Sequence, residues 1–427
     1  MRILWLSMTP GLLHEGEGTG NYGGSGWIGA LQHLFMDANT GDQLALSFVS
    51  NTETMKIQKG GIYYYPIFEK PERGLKKLYC YYYGYRYNND EKYVPQILSV
   101  IKDFRPDIIH LFGIESPLAS ILGNTRVPVV VHLQGILGPV NNAFYPSGMN
   151  KTLFHWPPTK REWLLRNGFL YEKKLLEIRA QKENRRFKKA LYFMGRTHWD
   201  YQVSQLLSPS SKYFKVNEAL RPTFYKHKGD WTLKPGKFVI TSTISETIYK
   251  GLDLVLKTSK LLREESDINF EWRIIGINEN CNMVKFFERY TRIKAEDVNV
   301  KYMGVMQESK MVDSLLDASV YVHPSYIDNS PNSVCEAQIL GLPVIAVNVG
   351  GVSSLVEHEV TGVLVPANSP YELAYLISKM HKDTSFVRTI SNNGFSCSCE
   401  RHRADLIIPT LMNDYNQIIE DYENNFR

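Results

Sequence analysis

The stretch Val320-Tyr-Val-His-Pro-Ser-Tyr-Ile-Asp-Asn-Ser-Pro-Asn-Ser-Val-Cys-Glu-Ala337 runs from an apolar strand directly into a helix. Val320 to Pro324 supplies the strand. Ser330 suits the N-cap and Pro331 the first helical position, where no N–H is required. The amides of Asn332 and Ser333 then point out of the helix start, and with the positive dipole end they form a site for a diphosphate. Glu336 lies little more than a turn further in and leans back toward the N-terminus. Its two carboxylate oxygens suit the vicinal hydroxyls of a ribose. Asp328, in the loop with Asn329 and Ser330, is placed to accept from hydroxyls of a transferred sugar. Taken singly, Glu336 fits a surface carboxylate favoured by the dipole, and Asp328 a turn residue. Their joint placement after a buried strand is what points to a ligand.

Outward from that segment the strand-then-helix rhythm repeats. Lys237 to Ser242, Phe270 to Gly276, Val300 to Val305, Pro343 to Val347 and Gly362 to Pro366 read as strands. Gly251 to Arg263, Ser309 to Ala318 and Tyr371 to Met380 read as helices. Pro222 to Gly236, rich in Gly, Pro and polar residues, reads as an interdomain linker. Before it, Arg2 to Ser7 is a strand and Gly23-Gly24-Ser25-Gly26 opens a helix through Phe35. Ile108 to Gly113 and Val127 to Leu133 are near-continuous apolar runs of the kind buried on both faces of a parallel sheet. The fold class expected is α/β, with two Rossmann-like doubly wound domains facing a central cleft. Residues 1–221 form the N-terminal domain, 222–236 the linker and 237–405 the C-terminal domain. Residues 406–427 form a helix returning to the N-terminal domain. Tyr63-Tyr64-Tyr65 and Tyr79 to Tyr87 fit a hairpin or a flap.

The totals agree with that reading. The chain has 427 residues, room for two domains of about 200 each. Hydrophobic content of 43% and charged content of 22% exclude a disordered chain. The five cysteines are an odd number without framework spacing, which points to a reduced, cytosolic protein. The apolar opening is broken by Pro10 and lacks a cleavage site, so it reads as a first strand rather than a signal peptide. No apolar run reaches the length of a membrane span. Net charge is +5, and between Lys151 and Lys189 twelve Lys or Arg stand against four Glu, interleaved with Phe154, Trp156, Trp163 and Phe169. Such a stretch lies on an anionic membrane surface or forms solvated surface helices. No nucleic-acid motif accompanies the charge, and nucleic acid is not expected as a partner. A cytoplasmic location follows, peripheral on the inner membrane face if the first alternative holds.

The segment from Asp328 to Glu336, two acids separated by seven residues, resembles the donor-site signature of the retaining family-four (group 1) glycosyltransferases. Here the first acid is Asp328 where the family usually has Glu, one methylene longer. Lys250-Gly251 resembles the family's Lys-Gly pair, which implies that Lys250 meets the donor diphosphate. The family's Gly-Arg pair after the preceding strand is replaced by Thr241-Ser242-Thr243, where the hydroxyls of Ser242 and Thr243 stand in as weaker donors. Gly276 and Met306 fall where the resemblance places the wall around the base, and Gly350-Gly351 resembles the turn that closes the donor site. Gly23 and Gly24 match in position the glycine loop facing the phosphates. Gln134, where many relatives carry His, and Arg196 are the acceptor-side candidates; Arg196 fits equally a pair with Asp200. His110 and His132, inside strands, read as satisfied core residues.

The resemblance implies a GT-B glycosyltransferase. It would move a sugar from a UDP- or GDP-sugar to a glycan or polyprenyl-linked acceptor, with retention, in surface polysaccharide assembly. Lys250, Asp328 and Glu336 would carry the reaction. No Asp-Xaa-Asp sequence and no His/Cys cluster with ligand spacing occurs, so neither a metal nor another cofactor is expected. Two alternatives remain: a GT-B nucleotide-sugar epimerase, and a catalytically silent sugar-nucleotide-binding subunit.

Overall fold

Fully buried runs of Ile, Leu, Val and aromatic residues become the strands of two sheets. The structure, a computed structural model, describes residues 1–14, 26–53, 55–71, 73–75, 89–146, 148–149 and 169–426. Its chain divides into two compact units. One comprises Met1–Asn141, Lys173–Ala219 and Arg403–Arg427; the other comprises Asn142–Glu172 and Leu220–His402.

The first unit contains β1 (Arg2–Ser7), β2 (Gln43–Ser50), β3 (Ile57–Lys59), β4 (Ile62–Phe68), β5 (Ile108–Phe112), β6 (Val129–His132), β7 (Tyr192–Gly195) and β8 (Lys212–Lys215). They lie in the order β3-β4-β2-β1-β5-β6-β7-β8. Every pairing is parallel except β3 with β4, an antiparallel hairpin turned at Gly60 and Gly61. Tyr63-Tyr64-Tyr65 thus belong to β4, with Tyr64 and Tyr65 buried. The helix Ala404–Phe426 starts two residues before the expected 406 and packs into this unit. Its Tyr415 hydroxyl accepts from Trp5 Nε1 at 3.2 Å and lies 2.5 Å from His110 Nδ1. His110 Nε2 meets His132 Nδ1 at 3.1 Å. Burial lowers His110 to a pKa of about 3 and also holds His132 far down, so both imidazoles stay neutral in the core.

The second unit contains β9 (Phe238–Thr243), β10 (Phe270–Ile275), β11 (Val300–Gly304), β12 (Val320–His323), β13 (Val344–Val347) and β14 (Val363–Val365). All pairings are parallel, in the order β11-β10-β9-β12-β13-β14. The order reverses at β9, which puts the ligand crevice of this sheet at the carboxyl ends of β9 and β12.

The stretch 222–236, expected as a linker, is instead packed into the second unit. Pro222–Lys226 forms a short helix with Phe224 fully buried. Trp231 is buried too, its Nε1 donating to Ala318 O at 2.7 Å, while the Gly229 and Trp231 amides donate to Ile339 O and Leu340 O. The two large aromatics outweigh the polar composition that suggested a solvated connection. Among the described residues, no helix is long and apolar enough to cross a membrane.

Candidate active site

The loop after β12 is gripped from two sides by glycine backbones. Gly251 has φ +78°, and a Cβ there would stand 2.0 Å from Pro324 O. Nearby, the Tyr326 amide donates to Tyr249 O at 2.7 Å. Gly350 has φ +53°, and a Cβ there would stand 2.0 Å from Asp328 O, which accepts the Gly351 amide at 3.0 Å. Both close approaches need glycine. The Lys250-Gly251 and Gly350-Gly351 pairs, distant in sequence, are thus brought onto the Asp328 loop.

Side chains converge on that loop. Lys250 Nζ meets Asp328 Oδ2 at 2.6 Å, and His323 Nε2 stands 3.3 Å from the same oxygen. Burial works to raise the Asp328 pKa, but the Lys250 charge and the His323 contact prevail and hold it well below the ordinary carboxylate range. Burial works to lower Lys250, and the Asp328 charge and hydrogen bond more than offset it, leaving the ammonium above its usual value. Burial keeps His323 below its ordinary value although Asp328 pulls the other way. The cluster is therefore one ammonium, one carboxylate and one neutral imidazole at neutral pH.

The helix Asn332–Leu340 follows directly. Its N-cap is Pro331 rather than Ser330: Pro331 is extended (φ −68°, ψ 110°) and its carbonyl accepts the amides of Val334 and Cys335. The amides of Asn332 and Ser333 precede that first bond and belong to the orphan donors of a helix start. Asn332 and Ser333 are half-buried, Asn329 and Ser330 buried, and the Asn329 amide donates to Asp328 Oδ1 at 3.1 Å.

Glu336 departs from the expected open surface position. It is buried, and its Oε1 accepts from Arg221 Nε and Nη2, both at 2.8 Å. A carboxylate this deep takes a guanidinium partner because an uncompensated charge would be costly. Ser242 is a second correction. Alternation along β9 turns it into the core, where its Oγ donates to Val322 O at 2.6 Å and accepts from Trp272 Nε1 at 3.0 Å. It offers nothing to a phosphate. Thr243, on the opposite face, is half-buried with Oγ1 2.7 Å from Tyr321 Oη. Gly276 has φ +108° and faces Ile244 O, which a Cβ would approach to 2.5 Å; its amide donates to Gly304 O. Met306 follows β11 and is half-buried.

In the first unit, Arg196 is not an open anion binder. Its Nη1 pairs with Glu218 Oε2 at 2.8 Å and its guanidinium lies 5.0 Å from the Trp27 ring centre. Asp200 instead takes the Arg196 main-chain amide and completes the capping box of the helix His198–Leu207. Gln134 lies half-buried just beyond β6. Gly23 and Gly24 lie outside the described residues, as does the part of the basic stretch from 150 to 168. In its described part, Lys182 and Arg186 pair with Asp90, and Lys173 donates to Asn141.

Sequence reasoning missed Arg221, Tyr321 and the role of His323. Tyr321 and His323 alternate on β12 and share the face toward Lys250, which period-two counting of the quoted strand would have revealed. Arg221 carries no such signal, since 115 positions separate it from Glu336.

This fold and site define the GT-B class of glycosyltransferase architecture. Solved structures share it: sucrose-phosphate synthase from Thermosynechococcus elongatus has a TM-score of 0.71 at 13% identity, covering 99% of this chain and 100% of that one. Anabaena HepE in complex with UDP-glucose has a TM-score of 0.59 at 17% identity, covering 99% and 100%. More narrowly, residues 225–396 match the family described as Glycosyl transferases group 1. The capsular polysaccharide biosynthesis glycosyltransferase CapM of Staphylococcus aureus is 30% identical over 174 residues, 41% of this chain and 44% of that protein. Two further curated relatives are likewise covered over less than half their length.

Proposed function

We propose that the protein transfers a sugar from a UDP- or GDP-sugar to a glycan or lipid-linked acceptor, with retention of configuration, in surface polysaccharide biosynthesis. The observation that carries this reading is the meeting of Lys250 and Asp328 beside the start of the helix Asn332–Leu340, with Glu336 one turn further in. When a nucleoside diphosphate departs, charge gathers on its phosphate oxygens. The Lys250 ammonium and the first-turn amides stand ready to stabilise it without rearrangement. Asp328, kept ionised, accepts from sugar hydroxyls and fixes the ring. A carboxylate accepts several hydrogen bonds, so Glu336 can serve Arg221 and a ribose hydroxyl together. The acceptor hydroxyl loses its proton to the leaving phosphate on the same face of the sugar. Complexes of a structural neighbour with UDP and UDP-glucose support a nucleotide-sugar donor, and the capsular relative supports a polysaccharide product.

Lys250 and the helix start take the charge-neutralising role here, without a resident metal. Incubation with UDP- and GDP-sugars, with and without glycan or polyprenyl-phosphate acceptors, tests the scheme. Acceptor-dependent nucleotide release that survives EDTA supports it. Interconversion of the donor sugar without release would replace it with epimerisation. Binding without either reaction would favour a silent subunit, a reading to which the sealed Ser242 hydroxyl lends weight. The basic stretch from Lys151 to Lys189, whose part from 151 to 168 lies outside the described residues, is assigned to an anionic membrane surface; equal sedimentation with anionic and neutral vesicles would reject that assignment.

A further inference from the structure

Arg221 meets Glu336 unevenly. Its Nε and Nη2 both donate to Oε1, each at 2.8 Å. A carboxylate oxygen has two lone pairs, so these bonds use the whole acceptor capacity of Oε1. A parallel fork would instead have spread them over both oxygens. The guanidinium is fixed in turn. Its Nη2 also stands 3.5 Å from Met311 Sδ, its Nη1 3.8 Å from Glu308 Oε2, and its centre 4.7 Å from the middle of the Phe224 ring. Glu308 Oε1 accepts the Thr223 amide at 3.3 Å. Arg221 itself is the N-cap of the short helix Pro222–Lys226, which the fully buried Phe224 anchors.

Those contacts fix which way the carboxylate faces. With Oε1 taken, rotation of the group is locked, and a ribose hydroxyl must be accepted at Oε2. A buried acceptor aimed at a hydroxyl penalises a nucleotide that lacks it, because the bond lost is one to a charged group. Without its anchor the same carboxylate would turn among several orientations, and that selectivity would go.

We propose that Arg221 is a positioning residue for the ribose of the nucleotide: by occupying Oε1 it turns Glu336 Oε2 to the hydroxyls, so that the site selects a ribose over a deoxyribose. The inference rests on the donor site described under the proposed function. It gives Arg221 a selectivity exercised through Glu336 and not by contact with the ligand.

Calorimetric titration of the whole chain with UDP, GDP and their 2′-deoxy and 3′-deoxy counterparts reads the selectivity. In the wild type, the diphosphate that binds should lose about tenfold in affinity when one of the two hydroxyls is removed, the weight of one hydrogen bond to a charged group. Arg221→Lys keeps a cation beside Glu336 but not the planar pair of N–H groups, and Arg221→Gln removes the charge as well. In both variants the ribonucleotide should fall to the affinity of the deoxynucleotide, which itself stays near its wild-type value. A parallel loss of both, with the wild-type ratio retained, overturns the assignment, because a merely structural guanidinium would weaken the whole site. An unchanged ratio in Arg221→Lys overturns it too, since charge alone would then suffice. Should Arg221→Gln not fold, with Glu336 left buried without its cation, Arg221→Lys carries the test alone. A wild type that binds neither diphosphate removes the donor site itself. A wild type that binds but ignores both hydroxyls removes the ribose contact of Glu336, and the inference falls in either case.

Discussion

Two ion pairs occupy similar positions in the two units, each just beyond the carboxyl ends of parallel strands. Arg196 follows β7 and pairs with Glu218 at 2.8 Å, the side chains being 5% and 1% exposed. Lys250 follows β9 and pairs with Asp328 at 2.6 Å, the side chains being 21% and 18% exposed. The first pair is covered by the Trp27 ring and holds its unit together. The second lies beside a neutral imidazole and a helix start, where a ligand can reach it. A cation after a strand therefore says little about function. What separates a brace from a binding group is whether its charge remains accessible once its partner is in place.

The sharpest break between the two pairs should come from deleting the cations. Arg196→Ala leaves Glu218 buried and uncompensated, which should cost about 3–5 kcal/mol of stability by urea unfolding. An unchanged midpoint would erase the distinction. Lys250→Ala should cost less stability than Arg196→Ala, because Asp328 is only partly buried and water can reach it, while turnover falls roughly 10²–10³-fold, the weight of one preorganised charge-stabilising group. Glu336→Gln tests the carboxylate that belongs partly to each category. It keeps the shape and one acceptor oxygen opposite Arg221, so the expected change is about tenfold in donor KM with a small loss of stability. A normal KM would make Glu336 a brace like Glu218.

The smallest effect is the acid limb of the open pair. The folded pKa of Asp328 lies below its ordinary value of 3.8. Its contribution is therefore present above that pH and is lost as pH falls toward the folded value. Asp328→Asn should be less stable than wild type at pH 7, the gap closing below about pH 3. A gap independent of pH would mean that the charge on Asp328 does not matter to the fold.

Much of this was readable from residues in order. The apolar runs fixed β1, β5, β10 and β12 to within a residue or two, because buried parallel strands need little beyond unbroken hydrophobicity. The Asp328–Glu336 segment was legible because all its parts are local. The readings that changed depend on contacts far apart in sequence. Arg221 reaches Glu336 across 115 positions, and Ser242 is sealed by Trp272 and Val322 from other strands. The expected linker was misjudged because composition averages over a stretch, while Phe224 and Trp231 act individually as anchors.

The helix Ala404–Phe426 gives the chain an unusual order of assembly. Its Tyr415 completes the buried bonds of Trp5 and His110, and its Asp421 accepts from Tyr192 and Lys212. On the ribosome, every residue of the second unit has been made once His402 is added, whereas the first unit still lacks 403–427. The first unit is thus completed only after the second. Until then, the hydrogen bonds that Tyr415 makes with Trp5 and His110 cannot form.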